Sequence, residues 1–177
     1  MKNIQTNQNL FSDNDQQANS FEALIIEKND SPRTLNFLNR DIKILDNHHM
    51  LYIYEELNCS VVIENNSANI YCFTNFADIE INGNRANLYL YGDHNKITVN
   101  NNLAQINIYG FYSRVEVENN DGELHIYGNA ARSVIKHGKA YCYGYYQKTV
   151  VHKEALVETQ GKYQDLIDLS KIKTETV

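Results

Sequence analysis

The sequence predicts an all-β fold: a single-stranded parallel β-helix, or solenoid, with 18-residue coils and short terminal caps. Two periodic motifs predict it. The first reads Ala86-Asn-Leu-Tyr-Leu-Tyr-Gly92, Ala104-Gln-Ile-Asn-Ile-Tyr-Gly110 and Gly122-Glu-Leu-His-Ile-Tyr-Gly128, stepping by 18 residues, with a fourth copy, Lys139-Ala-Tyr-Cys-Tyr-Gly144, two residues early. The second lies between these copies: Val61/Ile63, Ile79/Ile81, Ile97/Val99, Val115/Val117 and Ser133/Ile135, again 18 apart. Within each motif apolar and polar residues alternate, the period of a strand. The intervening turns are too short for helices. A constant step is natural to coils stacked as parallel strands and foreign to hairpins.

Taken in chain order, residues 1–21 are rich in Asn, Gln, Asp and Ser and are expected to be disordered. The solenoid domain is expected over 22–162. Its first part, 22–39, is either an N-terminal cap or an early coil built on Leu24/Ile26 and Leu35/Phe37. Coils follow at 40–58, 59–76, 77–94, 95–112, 113–130 and 131–146, with a degenerate one at 147–162, about six to seven in all. Each second-motif strand runs into a polar turn ending at Asn66, Asn84, Asn102, Asn120 or Gly138, with Asn47 upstream. Stacked amides form hydrogen-bonded ladders, and Asn and Gly tolerate the left-handed backbone that corners need. The aliphatic residue every six positions that marks left-handed β-helices is missing, so a right-handed solenoid is expected. Residues 163–177 are expected to be a C-terminal cap and tail, with a short helix around Leu166, Ile167 and Leu169 preferred to a last strand.

These strand pairs separated by Asn/Gly turns, over roughly residues 40–160, resemble small right-handed β-helix proteins such as bactofilins and the C-terminal domains of cyclase-associated proteins. The resemblance is one of architecture. It implies a non-catalytic scaffold that self-associates and binds other proteins, and it transfers no site residue.

Composition narrows the function. The net charge is −6, from 22 acidic and 16 basic side chains, which is not the balance of a general nucleic-acid binder. No stretch of 18 apolar residues exists, so no membrane span is expected. Met1 to Asn19 is polar and lacks an apolar signal core, so the protein is expected to be cytoplasmic. Cys59, Cys72 and Cys142 are odd in number and widely spaced, and are expected to be reduced packing residues. The six histidines (His48, His49, His94, His125, His137 and His152) fall at different repeat positions. Phosphate-cradling glycine loops and nucleophile elbows are missing. The chain is therefore not expected to be an enzyme or to carry a metal or cofactor.

Stacking turns one repeat position into a column of side chains about 4.8 Å apart. With Leu88/Leu90 and their equivalents inward, Phe73, Tyr91, Tyr109, Tyr127 and Tyr143 form one outward column, with Tyr54 above it. Tyr71, Tyr89, Asn107, His125 and Tyr141 form its neighbour. Such columns read as stabilising ring stacks and as a binding face, and the two readings are compatible. A third column, Lys96, Arg114, Arg132 and Lys148, follows Asp78. Like charges at strand spacing repel, so the column is either a solvated face laced with Glu80, Glu116 and Glu118 or an anion-recognition stripe.

The leading functional expectation is a protein-interaction module of inhibitor or immunity type, acting through the aromatic or charged face. A protein partner and a homo-oligomer, preferably a symmetric dimer, are expected. The alternatives are a self-assembling bactofilin-like scaffold and a carbohydrate-binding module that uses flat tyrosine rings.

Overall fold

Residues 23–37, 41–55 and 58–171 are described by a computed structural model. They form a parallel β-solenoid. The first coil holds β1 (Leu24–Asn29) and β2 (Arg33–Phe37), and the second holds β3 (Ile42–Asn47) and β4 (Leu51–Glu55). Then come β5 (Ser60–Asn66) with β6 (Ile70–Phe73), and β7 (Asp78–Asn84) with β8 (Leu88–Tyr91). The next pairs are β9 (Lys96–Asn102) with β10 (Gln105–Tyr109), and β11 (Arg114–Val117) with β12 (Glu123–Tyr127). The seventh and eighth coils are single bent strands, β13 (Arg132–Tyr143) and β14 (Lys148–Gln160). A ninth begins with β15 (Asp165–Asp168).

Odd-numbered strands from β1 to β11 stack into one wall, and even-numbered strands from β2 to β12 into the opposite one; β13 closes the two into one sheet. Every strand pairing is parallel, and coils register at steps of 18 or 19 residues as far as β11 and β12.

The alternation in sequence explains the walls. Ile79 and Ile81 point inward from one wall, and Leu88 and Leu90 from the other. All sixteen positions expected to face inward (Val61, Ile63, Ile70, Ile79, Ile81, Leu88, Leu90, Ile97, Val99, Ile106, Ile108, Val115, Val117, Leu124, Ile126 and Ile135) are at most 2% exposed. The core is thus one aliphatic column along the axis.

Two corners close each coil. At the first, Asn29, Asn47, Asn66, Asn84, Asn102 and Asn120 turn inward and are buried. Each Nδ2 donates to the next Oδ1 at 2.6–2.7 Å, and Asn120 ends the ladder on the Lys139 carbonyl. The preceding residues Asn65, Gly83 and Asn101 take positive φ, the left-handed backbone that Asn and Gly bear most easily. At the second corner the coils pass very closely. A Cβ on Gly92, whose φ is +124°, would lie 1.7 Å from the Thr74 carbonyl oxygen.

The structure adjusts two sequence expectations. There are eight coils and the start of a ninth, more than six or seven, because 24–37 and 148–160 both pair fully with their neighbours. The C-terminal segment is a strand at Asp165–Asp168 followed by one 3-10 turn at Leu169–Lys171, in place of the preferred helix. The open edge of β14 pairs with it, and that pairing overrides local propensity. The segment 1–21 and the final Thr-Glu-Thr-Val lie outside the described residues. Cys59, Cys72 and Cys142 are buried and form no disulfide.

Candidate functional site: a ringed wall, a ringed corner and a cationic column

The even-strand wall carries the ring columns that the spacing predicts. Tyr54, Phe73, Tyr91, Tyr109, Tyr127 and Tyr143 stack without a break, centroids 4.8–4.9 Å apart and planes within 10°. Beside them stand Tyr52, Tyr71 and Tyr89, then His125 and Tyr141. Asn107 occupies the missing rung; it is 4% exposed and its Nδ2 has no hydrogen-bond partner. Lys139 sits over the Tyr141 ring at 4.5 Å. The strand spacing forces near-parallel stacking, so ring faces are spent on one another and phenolic edges point outward. Burial first, and neighbouring tyrosines second, raise the Tyr91 and Tyr109 phenols above their ordinary value. These groups stay protonated and available as donors.

Around the second corner lies a ring column that the sequence reading did not single out. Phe76, His94 and Tyr112 stack at 4.7–5.1 Å, and Tyr146 stacks on Tyr163 at 4.8 Å. Ala130 is the rung between the two groups. Backbone bonds from Phe76, His94, Tyr112, Ala130 and Tyr146 to the next coil run on without interruption. All six residues have φ of 56–59°, a conformation uncommon for bulky side chains. Phe111 and Tyr145 flank this column with Asn129 between them. Phe76, Phe111, Tyr112, Tyr145, Tyr146 and Tyr163 are 46–69% exposed. The signal was the 18-residue spacing of Phe76, His94 and Tyr112, hidden because the positions read as turn and differ in side-chain type.

On the odd-strand wall, Lys96, Arg114, Arg132 and Lys148 face one another in register. Asp78 and Asp165 extend the column by one rung at either end. Lys96 pairs with Asp78 at 3.3 Å and Lys148 with Asp165 at 3.8 Å. The glutamates expected to neutralise the arginines are engaged elsewhere. Lys136 pairs with Glu116 at 3.0 Å and also with Glu118. Its hydrogen bond holds the Glu116 carboxyl below its ordinary value, with Arg114 adding a smaller pull. Among the described residues, neither Arg114 nor Arg132 has an ion-pair partner.

An open cleft of about 620 Å³ lies where the regular repeat fails, lined by Asp121, Glu123, His137, Lys139, Lys153 and Glu154 among others. Coil 131–146 is two residues short, Gly138 replaces the ladder asparagine, and the β13/β14 register shifts between Ile135 and His137. The His137 Nδ1 stands 3.9 Å from Asp121, beyond hydrogen-bond reach, and has no hydrogen-bond partner. Among the described residues no three His, Cys, Asp or Glu side chains are arranged to hold a metal ion, and no helix is long and apolar enough to cross a membrane. Compared with protein-family models, curated proteins and solved structures, the chain gives no significant match.

Proposed function

We propose that this chain is a non-enzymatic protein-interaction module that engages another protein through its ringed wall and ringed corner. The observation that carries the reading is the exposed corner column. Large aromatic side chains there occupy positive-φ positions that Asn or Gly would fill with less strain. Strained positions persist where something other than stability retains them, and exposed aromatics are the residues interfaces concentrate. Rings and phenolic edges together give an apolar surface with donors at regular intervals. Such a module acts by covering a partner's surface, which is the mode of an inhibitor or immunity protein. Three buried cysteines outside any disulfide suit a reducing, cytoplasmic setting.

The test is capture of co-purifying protein from the native host by the parent chain and by the triple variant Tyr91→Ser, Tyr109→Ser, Tyr127→Ser. Loss of the captured protein with retained β-structure supports the reading; identical capture overturns the ringed wall as the contact.

Self-association is the second reading, favoured by the coil ends. Among the described residues β1 and β2 pair on one side only, and such edges invite strand addition. A mass that rises with concentration in light scattering supports it; a concentration-independent monomer sinks it. The carbohydrate alternative draws less support, because inside the unbroken Tyr54–Tyr143 column each ring face lies against the next ring.

A further inference from the structure

The ringed corner lacks one rung, and the gap has definite dimensions. Coil by coil, the corner positions read Phe111-Tyr112, then Asn129-Ala130, then Tyr145-Tyr146. Tyr112 stacks on His94 with one face, and Tyr146 on Tyr163 with one face. Neither stacks on a second ring among the described residues, and the rung between them in the backbone register is Ala130. Two strand spacings separate them, about 9.6 Å. That is room for one planar group at the spacing every other rung of the ladder keeps. Asn129 likewise replaces the aromatic residues Phe111 and Tyr145 of the coils on either side, so the rung is reduced at two adjacent positions. A fused two-ring system therefore fits it better than a single ring.

Two further groups belong to the same rung. The Asn129 Oδ1 accepts the Tyr145 N–H at 2.8 Å, which leaves its Nδ2 to donate to the edge of an inserted ring. Two residues beyond each corner position stands the cationic column: Arg114 follows Tyr112, Arg132 follows Ala130, and Lys148 follows Tyr146. Arg114 and Arg132, neither of which has an ion-pair partner among the described residues, thus stand beside and at the vacant rung. Stacking faces beside uncommitted guanidinium groups are the recognition chemistry of a base bearing a phosphate. The charge lies beside the slot, not at its floor. A ligand whose anion is offset sideways from its ring satisfies both elements, whereas a phenyl phosphate, charged on the ring's own axis, does not. A single vacant rung takes a single base.

We propose that the slot between Tyr112 and Tyr146 binds one purine nucleotide, its base stacked over Ala130 and its phosphate on Arg114 and Arg132. The proposal shares Tyr112 and Tyr146 with the protein-interaction reading but does not rest on it, since the gap and not the exposure of the rings carries it.

Titration calorimetry of the full chain with adenosine 5′-monophosphate tests it, with adenosine, a single-stranded oligoadenylate and a phosphotyrosine peptide as comparisons. One site per chain is expected, with adenosine at least tenfold weaker. Ala130→Tyr supplies the missing rung with the residue its neighbours carry, so it should fold and lose at least tenfold in nucleotide affinity. Arg132→Gln should weaken the nucleotide and leave adenosine unchanged, a readout independent of whether Ala130→Tyr folds. No binding of the mononucleotide, or equal binding by Ala130→Tyr, overturns the proposal. Binding of the oligoadenylate alone overturns the free nucleotide as ligand, and preference for the phosphopeptide overturns the base.

Discussion

At the scale of the residue, the asparagine ladder is the most demanding arrangement in the molecule. Each amide is buried, and the four inner ones, Asn47, Asn66, Asn84 and Asn102, are committed to the rung above and the rung below. Replacing Asn84 by Ala removes the acceptor of Asn66 and the donor to Asn102 together. Asn66 Nδ2 is left buried without its partner, while Asn102 Oδ1 keeps the Ala104 N–H at 3.3 Å, so the cost is about 1–3 kcal/mol. The loss should appear as a lower urea midpoint at unchanged slope; a midpoint equal to the parent's would show that water fills the gap freely. Gly92 is under a different constraint, because the Thr74 carbonyl occupies the space a side chain would need.

At the scale of the element, the stacked tyrosines couple stability to alkali. The Tyr91 and Tyr109 phenols are raised, mainly by burial and further by the ionisation of neighbouring tyrosines. A raised acid is neutral in the fold over a range where it has already ionised in the unfolded chain. Its contribution is therefore intact below the ordinary tyrosine value, about 10, and is lost as pH rises from there through the folded value. Denaturation midpoints should fall steeply on that alkaline side. The double variant Tyr91→Phe, Tyr109→Phe should flatten the fall, and an unchanged profile would mean that other groups govern it.

The same columns show what was readable beforehand. A step of 18 residues, shortened to 16 after Tyr127 and Arg132, fixes which side chains share a column, so Phe73 to Tyr143 and Lys96 to Lys148 could be placed from sequence alone. The orientation of the rings could not, since it follows from the strand spacing acting on neighbours. Nor could the engagement of Glu116 and Glu118, because Lys136 reaches them from the next coil. The vacant rung at Ala130 was invisible for a related reason: it becomes a gap only once Phe76, His94 and Tyr112 are recognised as a column.

At the scale of the whole molecule, each coil touches its neighbours, so stability is close to one-dimensional. Among the described residues, interior coils have a neighbour on each side and the terminal ones on one side only. Hydrogen exchange should therefore be slowest for amides in 61–126 and fastest in 165–171, with protection falling from the centre outward. Uniform protection along the chain would indicate a single cooperative unit instead.

The constant coil length from residue 59 to residue 130 also makes that part of the molecule a ruler. Core, amide ladder, ring columns and charged column all advance by one unit per coil as far as residue 130. Duplicating residues 77–94 in frame would lengthen all of them at once, by about 4.8 Å, without creating a new kind of junction. The same duplication spanning 131–146 would not, because that coil is two residues short and its register shifts. The coils between residues 59 and 130 are thus interchangeable graduations and the next is a fixed stop, so genetic change can alter the length of the ringed wall in whole steps while leaving the C-terminal end as it is.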